Sequence, residues 1–150
     1  MAGVAEILRG HRLIALDSCI WIYHFEAHPD YCTHTTEIMN AIARGRCRAV
    51  ISELTIMEII VGPLKQARQD IADEYETLLS HYPNLEISPI SRAILLKAAD
   101  LGVQHRVRTP DAIILATAAM SGATLVVGND EHWLRVQSPK VVLLRDLRAK

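Results

Sequence analysis

The sequence predicts an α/β fold, a mostly parallel sheet covered by helices on both faces. Three observations carry this. Short apolar runs (LIAL 13–16, CRAVIS 47–52, LEIS 85–88, TLVV 124–127, VVLL 141–144) alternate with segments of helical spacing. LIAL, TLVV and VVLL lack polar alternation, as strands buried on both faces do. The 150 residues hold one full core, without repeats or a low-complexity linker, so a single domain over 1–150 is expected.

The elements follow in order. LIAL is the first strand and meets Asp17 at its end, and SCIWIYHFEAHPD begins a helix that breaks near Pro29. Residues 33–45 have helical spacing through Ile38, Met39 and Ile42, with Gly45 as the C-cap. After the strand at 47–52, Ser52 has the chemistry to cap a following helix, but the chain reads more as a short turn feeding LTIMEIIVG, with Pro63 as a stop or restart. Residues 64–82 form the longest helical pattern, ended by Pro83. LEIS is a strand, and 91–102 is a helix closed by Gly102. RTPDAIILATAAMSG (108–122) has the best helix start: Thr109 as N-cap, Pro110 first, Asp111 in the first turn, and Gly122 beyond the end. TLVV is a strand, DEHWLRV a turn of helix, VVLL the last strand, and LRDLRAK a frayed tail.

Composition narrows the function classes. A net charge of -1 gives no global pull toward nucleic acid or membrane, so a polyanion would need a local basic patch. Cys19, Cys32 and Cys47 have no metal-ligand spacing and leave one thiol unpaired, which suits a reducing compartment. The N-terminus carries an early acid and no long apolar stretch, and no run is long enough to span a bilayer. A cytoplasmic protein with no membrane partner is expected.

Four carboxylates are the candidate chemistry. Parallel sheets place ligands beyond the carboxyl ends of their strands. Asp17 follows strand one, Asp130 follows TLVV by two residues, Asp111 opens a helix starting at that edge, and Glu58 lies in the segment after strand two. Singly, each has a plainer role: Asp17 and Asp130 as cap or turn residues, Asp111 as a first-turn acid, Glu58 on a solvated helix face. Together they make a hard-cation site suited to Mg²⁺ or Mn²⁺, since oxygen donors alone select such ions. Two ions about 3.5–4 Å apart can activate water and stabilise the leaving oxygen in phosphodiester hydrolysis.

LIALDSCIWIYHF, SELTIMEIIVGP, TPDAIILATAAMSGATLVV and NDEHW, in that order over almost the whole chain, resemble the PIN-domain family, in particular the toxin ribonucleases of type II toxin–antitoxin pairs called VapC. The resemblance assigns catalytic and metal-binding roles to Asp17, Glu58 and Asp111 for the main ion, with Asp130 supporting. Glu53 is second choice for the second acid. Ser18 follows the first acid as in the family, Ser52 precedes the second, and Asn129 is a polar neighbour of the fourth. The departure is Gly128, which stands where the family carries a hydroxyl. The resemblance further implies a three-layer α/β/α domain with a parallel sheet of about five strands, a homodimer, Mg²⁺- or Mn²⁺-dependent cleavage of RNA, and inhibition by a cognate antitoxin.

Arg106 and Arg108, just before the Asp111 helix, are candidates for contacting substrate phosphates. Arg44, Arg46 and Arg48 straddle a helix end and a strand start and read as solvated surface. One Phe and two Trp are too few for a stacking platform on single strands. Trp21, Tyr23 and Phe25 serve packing, in the core or at an interface. The seven histidines share no spacing, and His132 reads as a rim residue. No Gly-rich loop follows strand one, which disfavours a nucleotide-binding Rossmann or P-loop protein. Asp17 lacks the second acid that aspartyl-nucleophile phosphatases use two residues on. The alternatives to a ribonuclease are a nuclease acting on DNA or structured nucleic acid, and a weak or inactive RNA-binding domain.

Overall fold

A computed structural model describes residues 1–149. Five parallel strands, β1 (Leu13–Leu16), β2 (Arg48–Ser52), β3 (Leu85–Ser88), β4 (Leu125–Gly128) and β5 (Lys140–Leu143), form one sheet in the order β3-β2-β1-β4-β5. The chain moves outward from β1 through β2 to β3, then returns to the other side of β1 for β4 and β5. That reversal opens a crevice between the carboxyl ends of β1 and β4.

Alternate residues of each central strand enter opposite cores, which is why these strands show no polar face. Ile14, Leu16, Ala49, Ile51, Leu125 and Val127 pack with α1 (Val4–Leu8), α2 (Ser18–Phe25), α3 (Cys32–Ala43) and Leu79 of α5 (Gln69–Ser80). Ala15, Val50, Val126, Val141 and Leu143 pack with α6 (Arg92–His105), α7 (Thr109–Ser121) and Trp133. The expected α/β fold with helices on both faces is observed. Trp21 is fully buried, with Tyr82 edge-on at 5.4 Å, so its packing role lies in the core. Among the described residues no helix is long and apolar enough to cross a membrane.

Several boundaries differ from expectation. Ser52 does not feed a turn: its hydroxyl accepts the Leu54 N–H at 3.1 Å and caps α4 (Glu53–Lys65) directly. Pro63 lies inside the last turn of α4 and does not stop or restart it. The single helix expected over 64–82 is two, α4 and α5. The Arg68 N–H reaches back to the Pro63 carbonyl and Ala67 to Leu64, a Schellman closure with Ala67 at φ 55 where glycine is usual. Gly102 does not close α6, which continues to His105 and ends at Arg106, φ 56. A Cβ at Gly102 would stand 3.6 Å from the Val107 carbonyl oxygen and 3.7 Å from Ala112 Cβ, so this glycine serves close packing of α6 on α7.

The N-cap of α7 is Arg108, one residue before the expected Thr109. β4 and β5 each sit one residue from the expected windows, with Leu144 passing into a 3-10 helix, Leu144–Asp146. The tail is not frayed through Arg148: Leu147 is buried, the Arg148 N–H donates to the Ala2 carbonyl, and its guanidinium pairs with Glu6 at 3.2 Å. Lys150, the last residue of that expected tail, lies outside the described residues. α1 has no counterpart among the expected elements.

Candidate active site

Asp17 is the first residue beyond β1, and its N–H donates to the Val127 carbonyl of β4 at 3.0 Å. Its Oδ1 caps α2 by accepting the Ser18 N–H at 2.8 Å, with the Ser18 hydroxyl at 3.4 Å. Burial raises the Asp17 pKa to about 6; the Ser18 N–H opposes this and the Asp111 charge reinforces it. The Cys19 thiol lies near the same carboxylate and favours its charge, and its own pKa is raised by burial and by the Asp17 charge, so it stays protonated.

Glu58 is carried to this edge by α4, which Ser52 starts at the end of β2. It is half-buried, and its Oε1 is buried without a hydrogen-bond partner. Its pKa is raised, first by burial and then by Asp17, with Asp111 adding to the effect and the Ser18 hydroxyl and Arg108 opposing it. Asp111, in the first turn of α7, is also raised by burial. Arg108 Nε stands 3.7 Å from Asp111 Oδ2 and favours the charged form. The Trp133 indole N–H favours the Asp111 charge too, from beyond hydrogen-bond distance.

Asp130 behaves differently. Burial pushes its pKa up, but the backbone N–H and ring of His132, each 2.9 Å from Oδ1, outweigh that and leave it lowered. It caps the 3-10 helix Glu131–Arg135, so the turn reading and a place in the acidic field are both true of it: its charge also acts on Asp111. Asp17 and Asp130 line one cleft of about 350 Å³.

The four acids thus lie within electrostatic reach of one another, Asp17 with Glu58 and Asp111, Asp111 with Asp130. Among the described residues, however, no group of three or more His, Cys, Asp or Glu is placed so that it could hold a metal ion as it stands. Glu53 is exposed at the start of α4. Asn129 Oδ1 accepts the Arg145 N–H at 3.0 Å, so this group serves the turn after β5. Arg108 is exposed beside Asp111, while Arg106 is exposed at the α6 C-cap. Gly128 is buried where β4 ends, and a Cβ there would meet the Trp133 ring at 3.4 Å and Asp17 Cβ at 3.5 Å. The Trp133 indole therefore occupies the room beside the position where the family carries its hydroxyl.

Two side chains in this region were not anticipated. From the sequence, Cys19 reads only as a metal ligand or disulfide partner, although its place two residues after Asp17 is plain there. Arg145 lines the cleft and reaches the Asn129 carbonyl at 3.2 Å, from a segment expected to fray.

Residues 14–138 match the PIN-domain family model. The chain belongs to the PIN-domain family. Solved structures similar to this PIN domain include a toxin–antitoxin complex from Klebsiella pneumoniae, at 24% identity and TM-score 0.68 over 87% of this chain and 97% of that one. DNA-bound VapBC from Salmonella typhimurium is similar at 21% identity and TM-score 0.69, over 87% and 97% of the two chains. VapBC2 from Rickettsia felis, bound to a promoter DNA fragment, is similar at 19% identity and TM-score 0.67, over 87% and 96%. At these identities the likeness establishes the shared fold. No sequence match was found among curated proteins.

Proposed function

We propose that this PIN domain is an endoribonuclease dependent on Mg²⁺ or Mn²⁺ and the toxin of a toxin–antitoxin pair. The observation that carries the reading is the buried, unpartnered Oε1 of Glu58, beside two further carboxylates whose pKa values are also raised by burial. Burying an anionic oxygen without a donor is unfavourable unless a cation meets it. Oxygen donors without a cysteine or histidine ligand set fit a hard divalent ion.

Asp17, Glu58 and Asp111 would hold the ion, with Asp130 supporting from across the crevice. When bound, the ion supplies Lewis acidity, lowering the pKa of an attacking water and offsetting charge on the phosphate. Ser18 orients Asp17 by donating its N–H and hydroxyl to the carboxylate. Arg108 stands at the mouth, 85% exposed, where it can take a substrate phosphate while its weak pairing with Asp111 is exchanged. Arg145 lines the cleft beside Asp130 and adds to the basic margin, and Arg106, at the α6 C-cap, is a further candidate for a substrate phosphate.

The partners proposed are RNA, an antitoxin and a second copy of the chain. The toxin–antitoxin complex and VapBC assemblies formed by similar structures support the antitoxin. Leu96, Val103 and Met120 line one exposed apolar concavity on α6 and α7, a surface available for association. Gly128 favours a second reading, a weak or inactive RNA-binding domain, because the hydroxyl is missing beside Asp17.

The test is incubation with labelled single-stranded RNA, and separately DNA, in Mg²⁺, Mn²⁺ or chelator. Wild type should cut RNA only with metal, and Asp17→Asn and Glu58→Gln should lower the rate by at least about 100-fold. Binding without cleavage under every metal supports the second reading. Cleavage of DNA in preference to RNA, or unchanged cleavage by Asp17→Asn, overturns the assignment.

A further inference from the structure

We infer that the cavity between α1 and α3 is a binding site for a ligand carrying two or more phosphates. It lies at the amino ends of β1 and β2, the sheet edge opposite the four acids, and encloses about 770 Å³, within the usual range for small-ligand sites. Arg9, His11, Arg12, Arg44 and Arg46 line it, and Glu37 is its one acid. In a chain of net charge -1, four guanidinium groups around one concavity are a local concentration of positive charge.

The backbone builds this concentration. Two short segments, Arg9-Gly10-His11-Arg12 and Arg44-Gly45-Arg46, each turn on a glycine in the left-handed region, φ 82 and φ 75. The first turn leads from α1 into β1 and the second from α3 toward β2, so both return their flanking arginines to the same cavity.

The ordinary use of arginines here would be to neutralise the carboxyl end of α3. That end is already served. The Asn40, Ala41 and Ile42 carbonyls accept the N–H groups of Arg44, Arg46 and Gly45, and Ile42 also accepts Asn84 Nδ2 at 2.9 Å. Among the described residues, the guanidinium groups of Arg9, Arg12, Arg44 and Arg46 are exposed and are found in no side-chain hydrogen bond or salt bridge, while Glu37 on the same wall is itself engaged. His11 is held at the wall by Nδ1 against Thr124 Oγ1, 2.7 Å.

Four unengaged forks around one cavity suit phosphate oxygens, which guanidinium takes two at a time. A single phosphate leaves most of that charge unmet, hence two or more. Val4, Leu8 and Ala41 supply an apolar wall for the rest of the ligand. The phosphates can come from a free nucleoside polyphosphate or from consecutive links of an RNA chain.

Calorimetric titration of the full chain at low salt in chelator, with pyrophosphate and with ATP, tests this without requiring catalysis. A parallel arm follows a labelled short RNA by fluorescence anisotropy, and a poly-glutamate peptide serves as a non-phosphate anion. The variants are Arg9→Gln/Arg46→Gln and the control Arg68→Gln, whose side chain is exposed and paired with Asp70 elsewhere. Thermal melting confirms that each folds.

Arginine-dependent binding, weakened about tenfold or more in the double variant and unchanged in the control, is expected. Seen with pyrophosphate or ATP, it identifies a free polyphosphate; seen with RNA alone, it identifies the chain. The proposal is overturned if none of the phosphates binds, if affinity is the same in the double variant, or if the peptide competes equally. The RNA-cleaving reading of the opposite edge stands or falls separately.

Discussion

Asp17 holds its proton to about pH 6 in the folded chain, against 3.8 for the free side chain, because burial disfavours its charge and Asp111 lies near. Between those values the native state binds more protons than the unfolded chain, so stability falls as pH rises through the window. The full cost, on the order of 2–3 kcal/mol, is present above about pH 6. Asn caps a helix as well as Asp does, so Asp17→Asn keeps the α2 cap and removes the charge. In chelator, the variant should melt higher than wild type at pH 7.5, with the difference closing near pH 4. Parallel melting of the two across this range would mean that burial does not penalise the charge. Asp17, Asp111 and Asp130 were legible as residues because each follows a strand or opens a helix at one sheet edge, and Glu58 because it is a lone acid in the apolar run after strand two. Cys19 and Arg145 were not. The Cys19 role depends on its thiol meeting Asp17, and Arg145 is held by Asn129, sixteen positions away in the chain.

Among the elements, β1, β4 and β5 were readable because burial on both faces leaves unbroken apolar runs, and the strand ends shift by a residue at most. The break between α4 and α5 was hidden for a definite reason. A Schellman closure normally announces itself with glycine, and here Ala67 occupies the left-handed position at φ 55. Conversely Gly102, which looks like a helix stop, sits inside α6 to let α7 approach. An alanine forced into that region costs roughly 1–2 kcal/mol, partly offset because glycine loses more backbone freedom on folding. Ala67 is exposed, so Ala67→Gly removes no packing. A stabilisation of about 0.5–1 kcal/mol is expected from urea unfolding, with the slope unchanged. A loss of stability would show that Ala67 is not strained in the native fold.

At the scale of the whole molecule, the sheet is electrically polarised, with carboxylates beyond its carboxyl ends and arginines around its amino ends. The sequence exposes the first pole, since each acid adjoins a recognisable element. It conceals the second, since Arg9 and Arg12 join Arg44 and Arg46 only when α1 packs against α3, and α1 carries too few residues to show a periodicity. Under the proposed function, the acidic pole would couple folding to cation binding. Without a cation, folding must bury carboxylates against one another; a bound divalent ion favours the native state by mass action, raising stability by RT ln(1 + [L]/Kd). Because Asp17 is protonated below about pH 6, the ion must displace that proton in acid, and its stabilising effect should shrink there. Added Mg²⁺ should therefore raise the melting temperature of wild type clearly at pH 7.5 and much less at pH 5. Glu58→Gln keeps the shape of the side chain but removes the charge whose buried oxygen lacks a partner, so its melting temperature should not respond to Mg²⁺ at either pH. An equal Mg²⁺ response in wild type and Glu58→Gln would place the ion elsewhere on the molecule and remove the link between the acidic edge and metal binding.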